Sequence, residues 1–171
     1  MKNLLIVAVL LFSLVVHADP SGPPTKVELA DTIKTLKAKP ELKSYFSSSV
    51  AYAIFPRVGR GALGVGGAFG EGGVFKGGKQ IGKTSLQQIT IGFGAGGEQY
   101  TEVMFFKDEA AFKRFIEGNI ELDAHATAVA ANTGVGAAVA YNNGVAIMTY
   151  TKVGLMANAA IGGQRFTYDK L

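Results

Sequence analysis

ALGVGGAFG, Ala62 to Gly70, alternates with a period of two: Leu63, Val65 and Phe69 point one way, while Ala62, Gly64, Gly66, Ala68 and Gly70 point the other. ITIGFGAG, Ile89 to Gly96, repeats the pattern, with Ile89, Ile91, Phe93 and Ala95 set between Thr90, Gly92, Gly94 and Gly96. A period of two marks a strand, and each of these strands has one bulky face and one nearly bare face. Glycine inside a strand weakens it unless another backbone must come close or the sheet must bend. Several such strands in one chain predict a sheet that is strongly curved or covered at unusually short range.

Helices flank this sheet in the sequence. After a turn-rich linker, residues 19–25, the tetrad Thr25-Lys26-Val27-Glu28 reads as a capping box that opens a helix. Leu29, Ile33 and Leu36 share one face of it, and Pro40 stops it and suits the first turn of a second short helix, Glu41 to Ser48. Thr101 to Phe106 continues the sheet. Asp108 is placed as the N-cap of a later helix, with Phe112, Phe115 and Ile116 on its apolar side and Gly118 past its end. Ala124 to Ala140 tilts toward strand through Thr127, Val129 and Thr133. Asn143-Gly144 signals a hairpin between apolar runs, Val145 to Tyr150 and Leu155 to Ile161 are strands, and Phe166 and Tyr168 close the core. The expected fold is α+β: N-terminal helices and one later helix packed on a strongly curved, Gly-rich antiparallel β-sheet, sandwich- or barrel-like.

Residues 1–18 combine Lys2, an apolar run from Leu4 to Phe12, and Ala18 before Asp19, which reads as a signal peptide and leaves residues 26–171 as a single domain. The apolar run is shorter than the roughly 20 residues of a spanning helix. The sequence holds no cysteine, so neither disulfides nor thiol acylation enter the expectation, and packing alone must supply stability. Charge is uneven. Residues 26–83 carry ten Lys or Arg against four Asp or Glu, and residues from Thr84 onward carry six against eight. A basic N-terminal half on a neutral-to-acidic body suits an oriented contact with an anionic surface, for which phospholipid headgroups are the natural candidate in an exported protein.

Several patterns suggest chemistry and fail on context. GGKQIGKT, Gly77 to Thr84, matches the phosphate-binding loop letter for letter, but that loop must feed a helix, and LQQITIGFGAG reads as a strand. It is taken as a basic hairpin tip. GFGAGG, Gly92 to Gly97, fits the dinucleotide fingerprint, yet TEVMFF cannot open a helix. Asp123 and His125 form half of a metal site with no further His or Cys in the exported chain to complete it. Ser47, Ser48, Ser49 and Ser85 have no nucleophile elbow. Glu98 and Glu102 read as separate solvated residues rather than as a catalytic pair. The expectation is no enzyme, no cofactor, no metal, no nucleotide and no nucleic acid.

YTKVGLMANAAIGGQRFTY, Tyr150 to Tyr168, resembles the SYLF domain family, as do the stretch beginning AIFPRVGRGALGVGG at Ala53, IGFGAGGEQYTEVMFF, Ile91 to Phe106, and FIEGNIELDAHATAVA, Phe115 to Ala130. The resemblance covers nearly everything after residue 40 and is nearest to the secreted bacterial branch. It implies a lipid-binding domain, whose eukaryotic members recognise phosphoinositides and in some cases actin. This chain departs from the eukaryotic pattern in its signal peptide and in having no tryptophan, so what carries over is general anionic-lipid or acyl-chain binding. Lys152 stands where the family has a lysine-glycine-leucine turn, here with Val153 inserted. The expected lipid contact is peripheral: Lys26, Lys34, Lys37, Lys39 and Lys43 on the first helices, joined by Arg57, Arg60, Lys76, Lys79 and Lys83 if the hairpin tip lies on the same side. Each cation is worth about 1 kcal/mol near an anionic surface. Competing classes are an outer-membrane barrel, which lacks aromatic girdles and a polar lumen face here, and an envelope protein that binds another protein through an apolar patch.

Overall fold

Tyr52 and Phe75 stack with ring centroids 5.4 Å apart although both belong to one strand. A straight strand would hold them about 75 Å apart. This folded-back strand organises the molecule, whose computed structural model describes residues 22–118, 140–151, 154–156 and 163–171. The element order is α1 (Lys26–Lys37), a 3-10 turn (Pro40–Leu42), α2 (Lys43–Ser48), β1 (Ala51–Lys76), β2 (Lys79–Phe106), α3 (Glu109–Ile116), β3 (Val145–Thr151), β4 (Gly154–Met156) and β5 (Gln164–Lys170).

The local signals hold. Thr25 caps α1, its hydroxyl oxygen accepting from the Glu28 amide at 3.2 Å, and Pro40 begins the 3-10 turn. Asp108 caps α3 by accepting from the Ala111 amide at 2.8 Å, and Gly118 follows the helix end with φ +72°. Phe112 and Phe115 are buried as expected, but Ile116 lies at the rim and remains 37% exposed. Asn143 and Gly144 have φ of 48° and 78°, the two positive values that a tight primed turn requires before β3.

The separate strands expected around Ala62–Gly70, Ile89–Gly96 and Thr101–Phe106 are instead parts of two very long strands. β1 and β2 pair antiparallel from Ala51 opposite Phe106 to Lys76 opposite Lys79, and Gly77 and Gly78 make the turn with φ of 57° and 77°. Register shifts at Phe55/Val58, Leu63/Val65 and Val74/Phe75 let the ribbon bend. β2 is central. Its first part, Gly82 to Gln88, pairs with β5, and its last part, Thr101 to Phe106, pairs with β3, which pairs in turn with β4. Among the described residues the sheet does not close into a barrel.

Both faces of this sheet are buried, so the core strands read as near-continuous apolar runs. Ala51, Ala53, Phe55, Met104 and Phe106 face a core completed by α3 and by Phe166 of β5. Tyr52, Ile54, Val103 and Phe105 face a second core under α1 and α2, with Leu29, Leu36, Leu42 and Tyr45. Phe115 anchors α3 between Phe106, at 4.7 Å, and Phe166, at 6.0 Å. On the distal part of the ribbon the burial is inverted relative to hydrophobicity: Gly66, Ala68 and Gly70 are buried, whereas Phe69 and Ile89 are 48% and 71% exposed. The bare face turns inward because β1 lies on itself. A side chain at Gly70 would come 2.8 Å from the Val58 side chain and 3.0 Å from the Arg57 carbonyl oxygen. Residues 1–21, 119–139, 152–153 and 157–162 lie outside the described residues, and with them the expected signal peptide, the Asp123–His125 pair and most of the expected Ala-rich strand.

Candidate functional site

The basic residues fall into two groups. Lys26, Lys34 and Lys37 are exposed along α1, on the stripe that also holds Ala30, away from buried Leu29 and Leu36. Lys43 is exposed at the start of α2. Lys37 Nζ stands 5.5 Å over the Phe46 ring and Lys39 Nζ 4.6 Å over Tyr150, so aromatic faces hold both ammonium groups. Tyr150 donates weakly to Glu41 at 3.4 Å, and burial, followed by the Glu41 carboxylate, pushes its phenol up.

At the other group, Lys76 pairs with Glu109 at 2.7 Å and lies 5.4 Å over Phe112, which ties the hairpin tip to α3. α1 and α3 serve different cores, so Lys76 leans toward the face of the sheet opposite the α1 stripe. Lys79 and Lys83 are exposed, and Lys83 lies opposite Asp169 in the ladder. Arg57 is taken up by an ion pair with Glu28 and by donation to the Gly22 carbonyl at 3.1 Å, and Arg60 is half-buried. Lys152 lies outside the described residues. The structure thus brings together Lys26, Lys34, Lys37 and Lys43 on the helical side and sets Lys76, Lys79 and Lys83 apart at the hairpin tip.

Two clefts flank α1. One, of ≈ 610 Å³, runs between α1 and the sheet and is lined by Thr25, Asp31, Thr35, Lys39, Tyr100 and Tyr150 among others. The other, of ≈ 240 Å³, includes Pro24, Arg57, Phe69 and Gln99. The phosphate-loop letters are resolved by topology: Gly77 and Gly78 are the turn, and Lys79 to Thr84 are already strand. Gly82 packs directly under the Tyr168 ring, and Thr84 is buried, so the segment has no helix N-terminus to offer a phosphate. Gly92 to Gly97 likewise run within β2. Among the described residues no group of three His, Cys, Asp or Glu is placed to hold a metal ion, and no helix is long and apolar enough to cross a membrane.

One reading of the sequence is overturned. Glu102 is not solvated: it is fully buried on the β2 face shared by Tyr100, Met104 and Phe106. Its Oε2 accepts from Gln164 Nε2 at 3.3 Å, and burial pushes its carboxyl up to about 8, against a lowering by that hydrogen bond. Gln164 Nε2 also reaches Gln88 Oε1 at 3.5 Å. No sequence signal marks this cluster, because its members come from three distant positions.

Residues 87–170 match the model of a family described as Ysc84: Las17-binding protein actin regulator. A protein of Aeromonas veronii, Beta cell expansion factor A, is 29% identical over 154 residues, 83% of this chain and 55% of its own length. The chain spans about half the length of that curated relative. The family match runs from Gln87, in the first third of β2, through β5. Glu102, Gln88 and Gln164 fall inside it, and of the basic residues considered above only Lys152 does.

Proposed function

The chain belongs to the SYLF domain family, and on that premise we propose that it is a non-catalytic lipid-binding module of the bacterial cell envelope that associates peripherally with anionic phospholipid. The observation that carries this reading is the exposed stripe of Lys26, Lys34 and Lys37 along α1, with Lys43 exposed at the start of α2. Leu29 and Leu36 are spent on the core, so apart from the exposed Val27 the helix offers charge rather than apolar surface to a headgroup layer. Exported location follows from reading residues 1–18 as a signal peptide. The SYLF family is not a known enzyme family, which agrees with a module that binds and does not transform its ligand.

A second reading, an envelope module that binds another protein, is favoured by the exposed side chains of Phe69 and Ile89, which are diagonal neighbours on the outer face of the ribbon. The family description, an actin regulator that binds Las17, concerns a protein partner as well. Sedimentation with phosphatidylglycerol vesicles separates the two. Lipid binding through α1 weakens steeply with salt and is mostly lost in Lys34→Glu with Lys37→Glu, with no loss of thermal stability. A double variant that sediments as well as the parent removes α1 as the contact, and a parent that never sediments removes the lipid reading.

A further inference from the structure

The Glu102 cluster sits where the fold closes on itself. Gln164 is the first residue of β5, lies opposite Gln88 in the ladder, and donates to Gln88 Oε1 and Glu102 Oε2. One amide therefore ties the C-terminal strand, the first part of β2 and the last part of β2 together. Two residues on, Phe166 lies 5.9 Å from Phe55 and 6.0 Å from Phe115, so the strand held by Gln164 also roofs the apolar core.

Among the described residues no charge is placed to compensate this carboxyl. Among the described residues β1 presents Phe55 opposite it, β3 presents Thr149, β5 presents Gln164, and its own strand presents Tyr100 and Met104 on the same face. The Tyr100 phenol is the one other titratable group among them, and Arg165 of β5 is exposed on the opposite side of its strand. Glu102 Oε1 and Gln88 Nε2 have no hydrogen-bond partner among the described residues. The site tolerates a neutral carboxyl and penalises a carboxylate.

We propose that Glu102, Gln164 and Gln88 form a proton-dependent latch that holds β5 across the bend of β2 and loosens as Glu102 loses its proton. The inference is independent of the lipid reading. When β5 lifts, Glu102 meets water and regains an ordinary carboxyl affinity for protons, so the open form carries charge well before the closed form does. The direction follows from linkage: with the closed-state value at about 8 against 4.5, the open population rises on the order of tenfold per pH unit between these values and levels off above them. The latch is tight in acid and released toward alkaline pH, and release uncovers Leu86, Phe55 and Phe115.

Amide hydrogen exchange on the full chain, corrected for intrinsic rate, tests this at about pH 5.5 and about pH 7.5. The opening constant of amides in Arg165 to Lys170 is expected to rise on the order of a hundredfold between them and to stand well above that of Ala53 and Ile54 at both, since those core amides open only with the whole fold. In Glu102→Gln, which keeps the shape and cannot ionise, the rise in β5 is abolished. An equal rise in the variant, or none in the parent, overturns the latch. Should Glu102→Gln fail to fold, the carbon-detected titration of the Glu102 side chain in the parent decides: a midpoint near that of a solvated glutamate overturns the proposal, and one several units higher supports it.

Discussion

The α-carbon of Gly72 lies so close to the carbonyl oxygen of Ile54, a residue of the same strand, that any side chain at residue 72 would overlap it and would also come 2.9 Å from the Phe55 ring. Neither the turn chemistry of glycine nor a left-handed backbone explains Gly72, since its φ is not positive. What it provides is a missing side chain at the point where β1 crosses over itself.

Gly72→Ala is therefore expected to destabilise the protein by about 3 kcal/mol or to prevent folding, because the obstacle is backbone and cannot rotate away. Gly59 has nothing within 4 Å of the equivalent position. Gly59→Ala should be neutral or stabilise by up to about 1 kcal/mol, since alanine loses less backbone freedom on folding. Denaturant unfolding of both variants checks the pair, and equal effects would refute the crossing.

Global stability should fall as pH rises from about 5 to about 8. The Glu102 carboxyl is raised from 4.5 to about 8 in the folded protein. Its contribution is fully present below the unfolded value and is lost as pH climbs through the folded one, at about 1 kcal/mol per pH unit in between. Thermal melts across this range, with Glu102→Gln as the flat reference, measure the slope. A parent that becomes more stable over the same interval contradicts the burial of Glu102.

Lys83→Ala should change stability by less than about 0.5 kcal/mol, because the residue is exposed in mid-strand and its neighbour Asp169 forms at most a screened surface pair. Titration calorimetry with ATP should detect no binding in parent or variant. In contrast, Gly82→Ala, one residue earlier, drives a methyl into the Tyr168 ring and within 3.0 Å of the Asp169 carbonyl, so it should loosen β5 by roughly 2 kcal/mol. Nucleotide binding that disappears with Lys83 would overturn the strand assignment of this segment.

Asp108→Ala should cost about 1 kcal/mol, the value of the cap that the Asp108 carboxylate makes to the Ala111 amide. Asp108→Asn should recover most of it, since an amide oxygen accepts the same bond. Chemical denaturation of the two variants separates the cap from any long-range effect of the charge.

The sequence by itself determined what depends on a few neighbouring residues: the Thr25 and Asp108 caps, the Pro40 start, the Gly77-Gly78 and Asn143-Gly144 turns, and the alternation that makes Ala62 to Gly70 and Ile89 to Gly96 strands. It also indicated that the bare faces meet something at short range. Only the tertiary structure decided what they meet, because a period of two divides a strand into two faces without saying which is covered, and a glycine face carries no hydrophobic signal of its own burial. For the same reason the alternation alone does not say that Phe69 and Ile89 stand exposed, and Glu102, which reads as solvated, is buried beside a partner 62 residues away. The lysines of the candidate site were legible one by one. Their separation into an α1 stripe and a hairpin tip was not, because it rests on α1 and α3 packing against opposite faces of one sheet.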